Sequence, residues 1–369
     1  MLRHAALLFA VAGLWGCSAD DGAAPADGSA DEIRVLVNGL APMYEGTRAA
    51  NTFESDVDLT ISAKGGSRFT LSAYDATSGS AYIDAEDMQY FTDNGTWLFH
   101  DYSSNKYIRY FWPESESAAY NFFAYMPSKN REAGTPIVTG IDYITAINYN
   151  GGTPTFTCAD LPLTNGWQDG LPLTYTGQDG LKEFVYAYTA GQTKESQGST
   201  GVSLQFLHPF AAISFKLTKA LQRLVLNSIT IKDIYNSGTA TYNATGPTTT
   251  WATSDPTGDF VVTVGRTMDT DLYLGLIDGP FLVVPQEFPS GHTIEVNVDY
   301  DNATNKWSAA YDDETISVAI PYATLSGWQA GYKYTYLIDL DEDTDAITIQ
   351  NISVEPWEGK GDHTTANVE

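Results

Sequence analysis

Five histidines, two cysteines and 46 carboxylates are the residues of this 369-residue chain that could hold a metal, attack a carbonyl or move a proton. His4, His100, His208, His292 and His363 stand far apart. None has the H-x-x-x-H spacing that puts two imidazoles on one face around zinc. No G-x-S-x-G elbow and no phosphate-cradling glycine loop is present. Asp339-Leu340-Asp341-Glu342-Asp343-Thr344-Asp345 opens like a calcium loop. Thr344 stands where such a loop needs glycine, and Gln350 where it needs a bidentate glutamate. A solvated hairpin turn between two strands fits that run better. Carboxylates this abundant place some pair at glycosidase spacing by chance, so their number does not argue hydrolysis. Cys158 has no neighbouring motif to activate a thiolate and is expected as a small buried hydrophobe. These residues predict no enzyme, no metal site and no cofactor.

Tryptophan offers a different chemistry, a flat face for a sugar ring. Trp97, Trp112, Trp167, Trp251, Trp307, Trp328 and Trp357 are spread along the chain. Most are expected as large core fillers. Trp167 lies between Asn165-Gly166 and Gln168-Asp169-Gly170, and is the one expected on a loop within reach of a ligand.

Cys17 carries a covalent possibility of its own. Met1-Leu2-Arg3-His4 is basic, Ala5 to Leu14 is apolar, and Leu14-Trp15-Gly16-Cys17 precedes an acidic stretch of small residues. That is the layout of a secretory signal peptide over residues 1–16. Its apolar run is too short to span a bilayer. Cys17 follows a small residue at the cleavage point and resembles the acylation site of bacterial lipoproteins. Trp15 departs from the usual small or β-branched residue there, and an ordinary signal peptide with an incidental cysteine is the alternative. With Cys17 lipidated, Cys158 has no partner, so no disulfide is expected. The formal charge of −27 excludes a basic surface for nucleic acid. It suits solubility in an exposed setting.

The elements that must carry these residues read as strands. Residues 17–31 are acidic and small, an unstructured tether. Ile33, Val35 and Val37 then alternate with Arg34, Leu36 and Asn38, so Ile33 to Leu40 is a candidate first strand. The same period of two recurs at Val57 to Ile61, Phe69 to Ala73, Ile213 to Leu217, Phe260 to Val264 and Ile294 to Val298. Asp142 to Tyr149 and Leu217 to Leu226 fit short helical turns or strands. Many short strands between turn signals argue for an all-β chain of sandwiches. Ala190 to Gly201 has no large apolar residue and divides the chain into domains 32–190 and 202–369. A long hairpin loop is the other explanation of that stretch.

Several segments in order resemble the fimbrillin family of lipoprotein-derived pilus subunits. They are Tyr107-Ile108-Arg109-Tyr110-Phe111-Trp112-Pro113 with Tyr120-Asn121-Phe122-Phe123-Ala124-Tyr125-Met126-Pro127, then Leu204 to Phe215 around His208. Leu282-Val283-Val284-Pro285-Gln286, Trp328 to Tyr336 and Val354-Glu355-Pro356-Trp357 complete the series. The resemblance implies two transthyretin-like β-sandwich domains in tandem. It implies an outer-membrane lipoprotein precursor exposed at the cell surface and a mature form in the fimbrium. It also implies an arginine-specific protease that removes the N-terminal segment with the first strand, Ile33, Val35 and Val37. The groove so opened takes a strand of the next subunit. Thr47-Arg48-Ala49 matches the family's processing site, so cleavage is expected between Arg48 and Ala49, with Arg34 and Arg68 as competitors. Ile347, Ile349, Ile352 and Val354 form the candidate donor strand, with a register change at Gln350-Asn351. If that strand stays at home, the subunit ends the pilus. Other pilus subunits are the expected partners, and a host or bacterial surface glycan or protein is a candidate target. A surface lipoprotein that binds glycan without polymerising is the alternative function.

Overall fold

A computed structural model describes residues 18–20, 31–37, 68–91, 96–101, 106–115, 117–126, 143–150, 153–166, 176–177, 184–198, 200–217, 224–242, 249–267, 276–288, 292–300, 314–320, 325–341 and 346–356. These residues are almost all β. The chain begins with β1 (Ser18–Asp20), β2 (Val35–Val37), β3 (Arg68–Asp75), β4 (Ala81–Phe91), β5 (Thr96–Asp101), β6 (Lys106–Arg109) and β7 (Tyr120–Met126). β8 (Ile144–Asn150), β9 (Thr153–Cys158), β10 (Thr164–Gly166), β11 (Thr176–Gly177) and β12 (Val185–Gln192) follow. One helical turn, α1 (Lys194–Gln197), leads to β13 (Val202–Leu204), β14 (Ala211–Leu217), β15 (Leu224–Tyr242), β16 (Thr249–Thr267) and β17 (Leu276–Val283). The last strands are β18 (Gln286–Glu287), β19 (Thr293–Tyr300), β20 (Glu314–Ala319), β21 (Gly327–Trp328), β22 (Tyr332–Asp341) and β23 (Ala346–Pro356).

Side-chain alternation gives two of the sheets two apolar faces. The seven-stranded sheet runs β1-β6-β5-β4-β3-β7-β12. Along β7, Phe122, Ala124 and Met126 join Phe69, Leu71 and Trp97 in one cluster, which β2 and β13 cover. Phe123 and Tyr125 point the other way, into a second cluster with Phe156, Tyr186 and Phe210. Every residue of β7 is buried for that reason. A strand covered on both faces reads as a continuous apolar run instead of an alternating one. The four-stranded sheet β17-β14-β22-β23 does the same. Its Ala212 and Leu282 face the second cluster. Its Ile213, Phe215, Phe281 and Tyr336 face a third, against Ile229, Phe260 and Ile294 of the eight-stranded sheet.

β15 and β16 form one long hairpin whose arms serve two clusters. Ile229 and Ile231 lie in the third cluster, while Ala240 and Tyr242 lie in the second. Register shifts between Ile231 and Ile234 bend the arm. Asp233 sits there at φ 49°, and its N–H donates to Asp259 Oδ1 at 3.1 Å. Such bulges turn a strand without ending it.

The stretch between Ala190 and Gly201 does not interrupt the hydrogen bonding. β9 pairs with β15 from Cys158 opposite Gly238 to Thr155 opposite Thr241. β10 pairs in parallel with β16, and β13 in parallel with β2. The stretch contains α1, and Gln197 within it is buried. One expectation needs correction. Part of the expected tether, Ser18–Asp20, is a strand on β6, with Ala19 opposite Ile108. A ladder uses main-chain groups, so a small acidic sequence can still cover a sheet edge. Asp142 to Tyr149 and Leu217 to Leu226 resolve as strand wherever they are described within elements, in β8, β14 and β15.

Candidate functional site: the docked N-terminal strand

Residues 31–37 lie across the mouth of the first cluster. Trp112 N–H donates to Asp31 C=O at 2.7 Å, and Ile33 N–H to Tyr110 C=O at 2.8 Å. The chain then crosses to β13, where Val35 to Val37 pair in parallel with Val202 to Leu204. Val202 N–H donates to Arg34 C=O at 2.7 Å. Ile33 and Val35 are 3% and 8% exposed, and Val37 packs half-buried beside them. Leu36 points outward at 40%. The alternation is the one the sequence predicts, and Ile33, Val35 and Val37 share one face. The burial of Ile33 and Val35 is worth about 1.5–3 kcal/mol each.

Gln197 closes the site. Its Oε1 accepts from Arg34 N–H at 2.9 Å and from Trp112 Nε1 at 3.0 Å. Its Nε2 donates to Glu32 C=O at 2.9 Å. The side chain therefore occupies main-chain groups of the strand that no neighbouring strand reaches. Local sequence explains its position. Thr193 Oγ1 accepts from Ser196 N–H, and Ser196 Oγ accepts from Thr193 N–H, a reciprocal cap on α1. Gly201 has φ 114°, and a Cβ there would lie 2.8 Å from Arg34 C=O. Only glycine lets β13 come this close to the strand.

Charge surrounds the strand's start. Lys194 pairs with Asp31, and Arg109 Nε lies 3.8 Å from Glu32. Arg34 Nε is buried with no hydrogen-bond partner among the described residues, which opposes docking by about 1–3 kcal/mol. Arg34 also has both main-chain groups engaged, so a protease cannot bind it in extended form without undocking the strand. Arg68 opens β3, opposite Gln89.

The other expected residues fall elsewhere. Cys17, Arg48 and Ala49 lie outside the described residues, as do Val57 to Ile61, Trp167, Trp307 and Trp357. Ile347, Ile349, Ile352 and Val354 lie in β23, paired with β22 at the edge of the four-stranded sheet. Ile352 is buried, and Ile349 and Val354 pack half-buried against the third cluster. Leu337 faces Asn351 while Ile338 faces Ile349, so Gln350 is the extra residue. First strand and candidate donor strand thus belong to different clusters.

Trp97, Trp112 and Trp328 are buried. Cys158 is free, 1% exposed, and burial pushes its thiol up to about 12. Asp341 and Ala346 close the β22–β23 hairpin across the acidic run. Among the described residues, no three His, Cys, Asp or Glu side chains gather as a metal would need, and no helix is long and apolar enough to cross a membrane. Sequence reasoning did not find Gln197. The T-x-x-S cap and Gly198 mark a helical turn, but nothing local says that its last amide turns inward.

Comparison with known proteins gives this architecture a family. A family model described as fimbrillin-like matches residues 47–357. A fimbrial protein from Bacteroides vulgatus ATCC 8482 has a similar solved structure, with a TM-score of 0.54 and 16% identity over 89% of this chain and 99% of that one. A putative cell adhesion protein from Bacteroides ovatus ATCC 8483 matches at a TM-score of 0.45 and 15% identity, over 89% of this chain and 98% of its own. The tip fimbrial protein Mfa3 from Porphyromonas gingivalis, with C-terminal truncation, matches at 0.39 and 8%, over 88% and 100%. No curated protein sequence matches. Since the matched segment spans most of the chain, this chain belongs to the fimbrillin-like family.

Proposed function

We propose that this chain is a subunit of a cell-surface pilus serving adhesion, and that residues 31–37 hold a place later filled by a strand of a neighbouring subunit. The observation that carries this is the form of the dock. The strand is short, parallel, and attached through Gln197 and the 110–112 segment, with two apolar side chains fully inserted. Another strand with the same alternation could make the same contacts. In this reading the precursor is a lipoprotein acylated at Cys17 and carried to the outer-membrane surface. An arginine-specific protease cuts between Arg48 and Ala49 and frees the strand.

β23 is the donor candidate. It is an edge strand of its sheet, so it can leave without breaking pairing on a second side. If it stays paired with β22 in the assembled pilus, the subunit terminates the pilus. Docked residues 31–37 supply the kinetic block to early assembly. After cleavage the exchange is close to neutral, because similar backbone pairing and apolar burial replace what leaves.

Arg48→Ala tests this in cells, read as the detergent-resistant ladder of polymers. The expected result is a folded, lipidated monomer with no ladder. A normal ladder in Arg48→Ala, with loss of the ladder in Arg34→Ala or Arg68→Ala, would move the cleaved bond. An unchanged ladder in all three variants would sink protease gating.

A further inference from the structure

A cavity of about 870 Å³ opens between the β15–β16 hairpin and the segments around β18 and β21. No residue of 31–37 lines it, so it is separate from the strand dock. Its volume is that of a small-molecule site. Trp251, half-buried, forms one wall; Tyr235 and Tyr332, also half-buried, form others. The exposed side chains of Glu287 and Gln329 stand at the rim with Thr253. Trp251 is the one described tryptophan that is not buried.

The walls are held before any ligand arrives. Trp251 Nε1 donates to Pro209 C=O at 2.7 Å. Its ring meets Phe156 edge-on at 5.5 Å and Phe210 at 5.2 Å. Gln329 N–H donates to Tyr334 Oη at 2.8 Å, and Gly331 N–H to Phe210 C=O at 2.9 Å. Binding therefore loses little conformational freedom on the protein side.

The chemistry of this lining is selective. Among the described residues that line the cavity, none is lysine or arginine, and Glu287 is the one acid. With a chain charge of −27, an anionic ligand is repelled. A purely apolar ligand would strip water from Glu287 and Gln329 without replacing its hydrogen bonds. A sugar ring suits both features. Its C–H face lies on the electron-rich face of an aromatic ring, and its hydroxyls donate to a carboxylate and exchange hydrogen bonds with an amide. We propose that this cavity binds a short neutral saccharide, stacked on Trp251 and oriented by Glu287 and Gln329.

The test uses the unprocessed Cys17→Ser chain as a monomer, so its result does not depend on polymerisation. The protein is applied to immobilised neutral and acidic oligosaccharides and to a peptide library. Retention on neutral saccharides is expected. Titration of a retained saccharide, read by calorimetry, should weaken at least tenfold in Gln329→Ala or Trp251→Phe. Gln329 is exposed, so its variant should keep the parent melting temperature. The proposal is overturned by no retention on neutral saccharides, by preference for acidic saccharides or peptides, or by unchanged affinity in both variants.

Discussion

The indole N–H of Trp112 donates to the side-chain carbonyl of Gln197 at 3.0 Å, across 85 residues of sequence. The same oxygen accepts Arg34 N–H, and the same amide reaches Glu32 C=O. One side chain thus joins the turn before β7, the helical turn before β13 and the N-terminal strand.

Gln197→Ala should loosen the docked strand first. Each buried group left unpaired costs about 1–3 kcal/mol. Amide exchange at Val202, whose N–H donates to Arg34 C=O, should speed up at least tenfold. Amides in the β14–β22 pairing should stay at parental rates. Unchanged protection at Val202 would show that Gln197 does not hold the strand.

Cys158 should be inert in the folded protein. Its thiol is 1% exposed and pushed up to about 12 by burial, so almost no thiolate exists at neutral pH. In the Cys17→Ser variant, a thiol reagent at pH 8 should label no cysteine until denaturant is added. Fast native labelling would mean that the second cluster opens locally.

Stability should fall as pH drops through the range in which histidine ordinarily titrates. His292 is 6% exposed, stacked on Phe288 at 4.5 Å, and its Nε2 has no hydrogen-bond partner among the described residues. Burial holds its pKa below the ordinary 6.5, although Asp233 pulls the other way. The unfolded chain therefore binds this proton first. Unfolding free energy rises with pH from the depressed folded value up to about 6.5, and His292 adds no slope above that. Denaturant melts from pH 4.5 to 8 in the parent and in His292→Phe should show a shallower acid slope in the variant. Equal slopes would remove His292 from the account.

What the sequence determined by itself is the part that depends on neighbours along the chain. Alternation of period two marks Ile33 to Val37, Ile213 to Leu217 and Ile294 to Val298 as strands, because a strand shows one face every second residue. The apolar run Phe122-Phe123-Ala124-Tyr125 has no such alternation, because both its faces are covered, and it was legible only through the family resemblance. The interruption at Gln350-Asn351 is likewise local, since a bulge shifts the alternation at one residue. The family was legible too, because such runs recur in fixed order along this chain.

Only the tertiary structure decided which strands meet. The sequence of Ala190 to Gly201 carries no large apolar residue, yet the ladder runs across it, from β9 to β15 and from β2 to β13. Main-chain pairing leaves no mark in side-chain composition, so this joining of the two halves cannot be read from the string. Gln197 is hidden for a related reason. A glutamine in a polar stretch looks solvated, and its burial is offset only by the main-chain groups of Glu32 and Arg34 and the Trp112 indole, which folding alone brings to it.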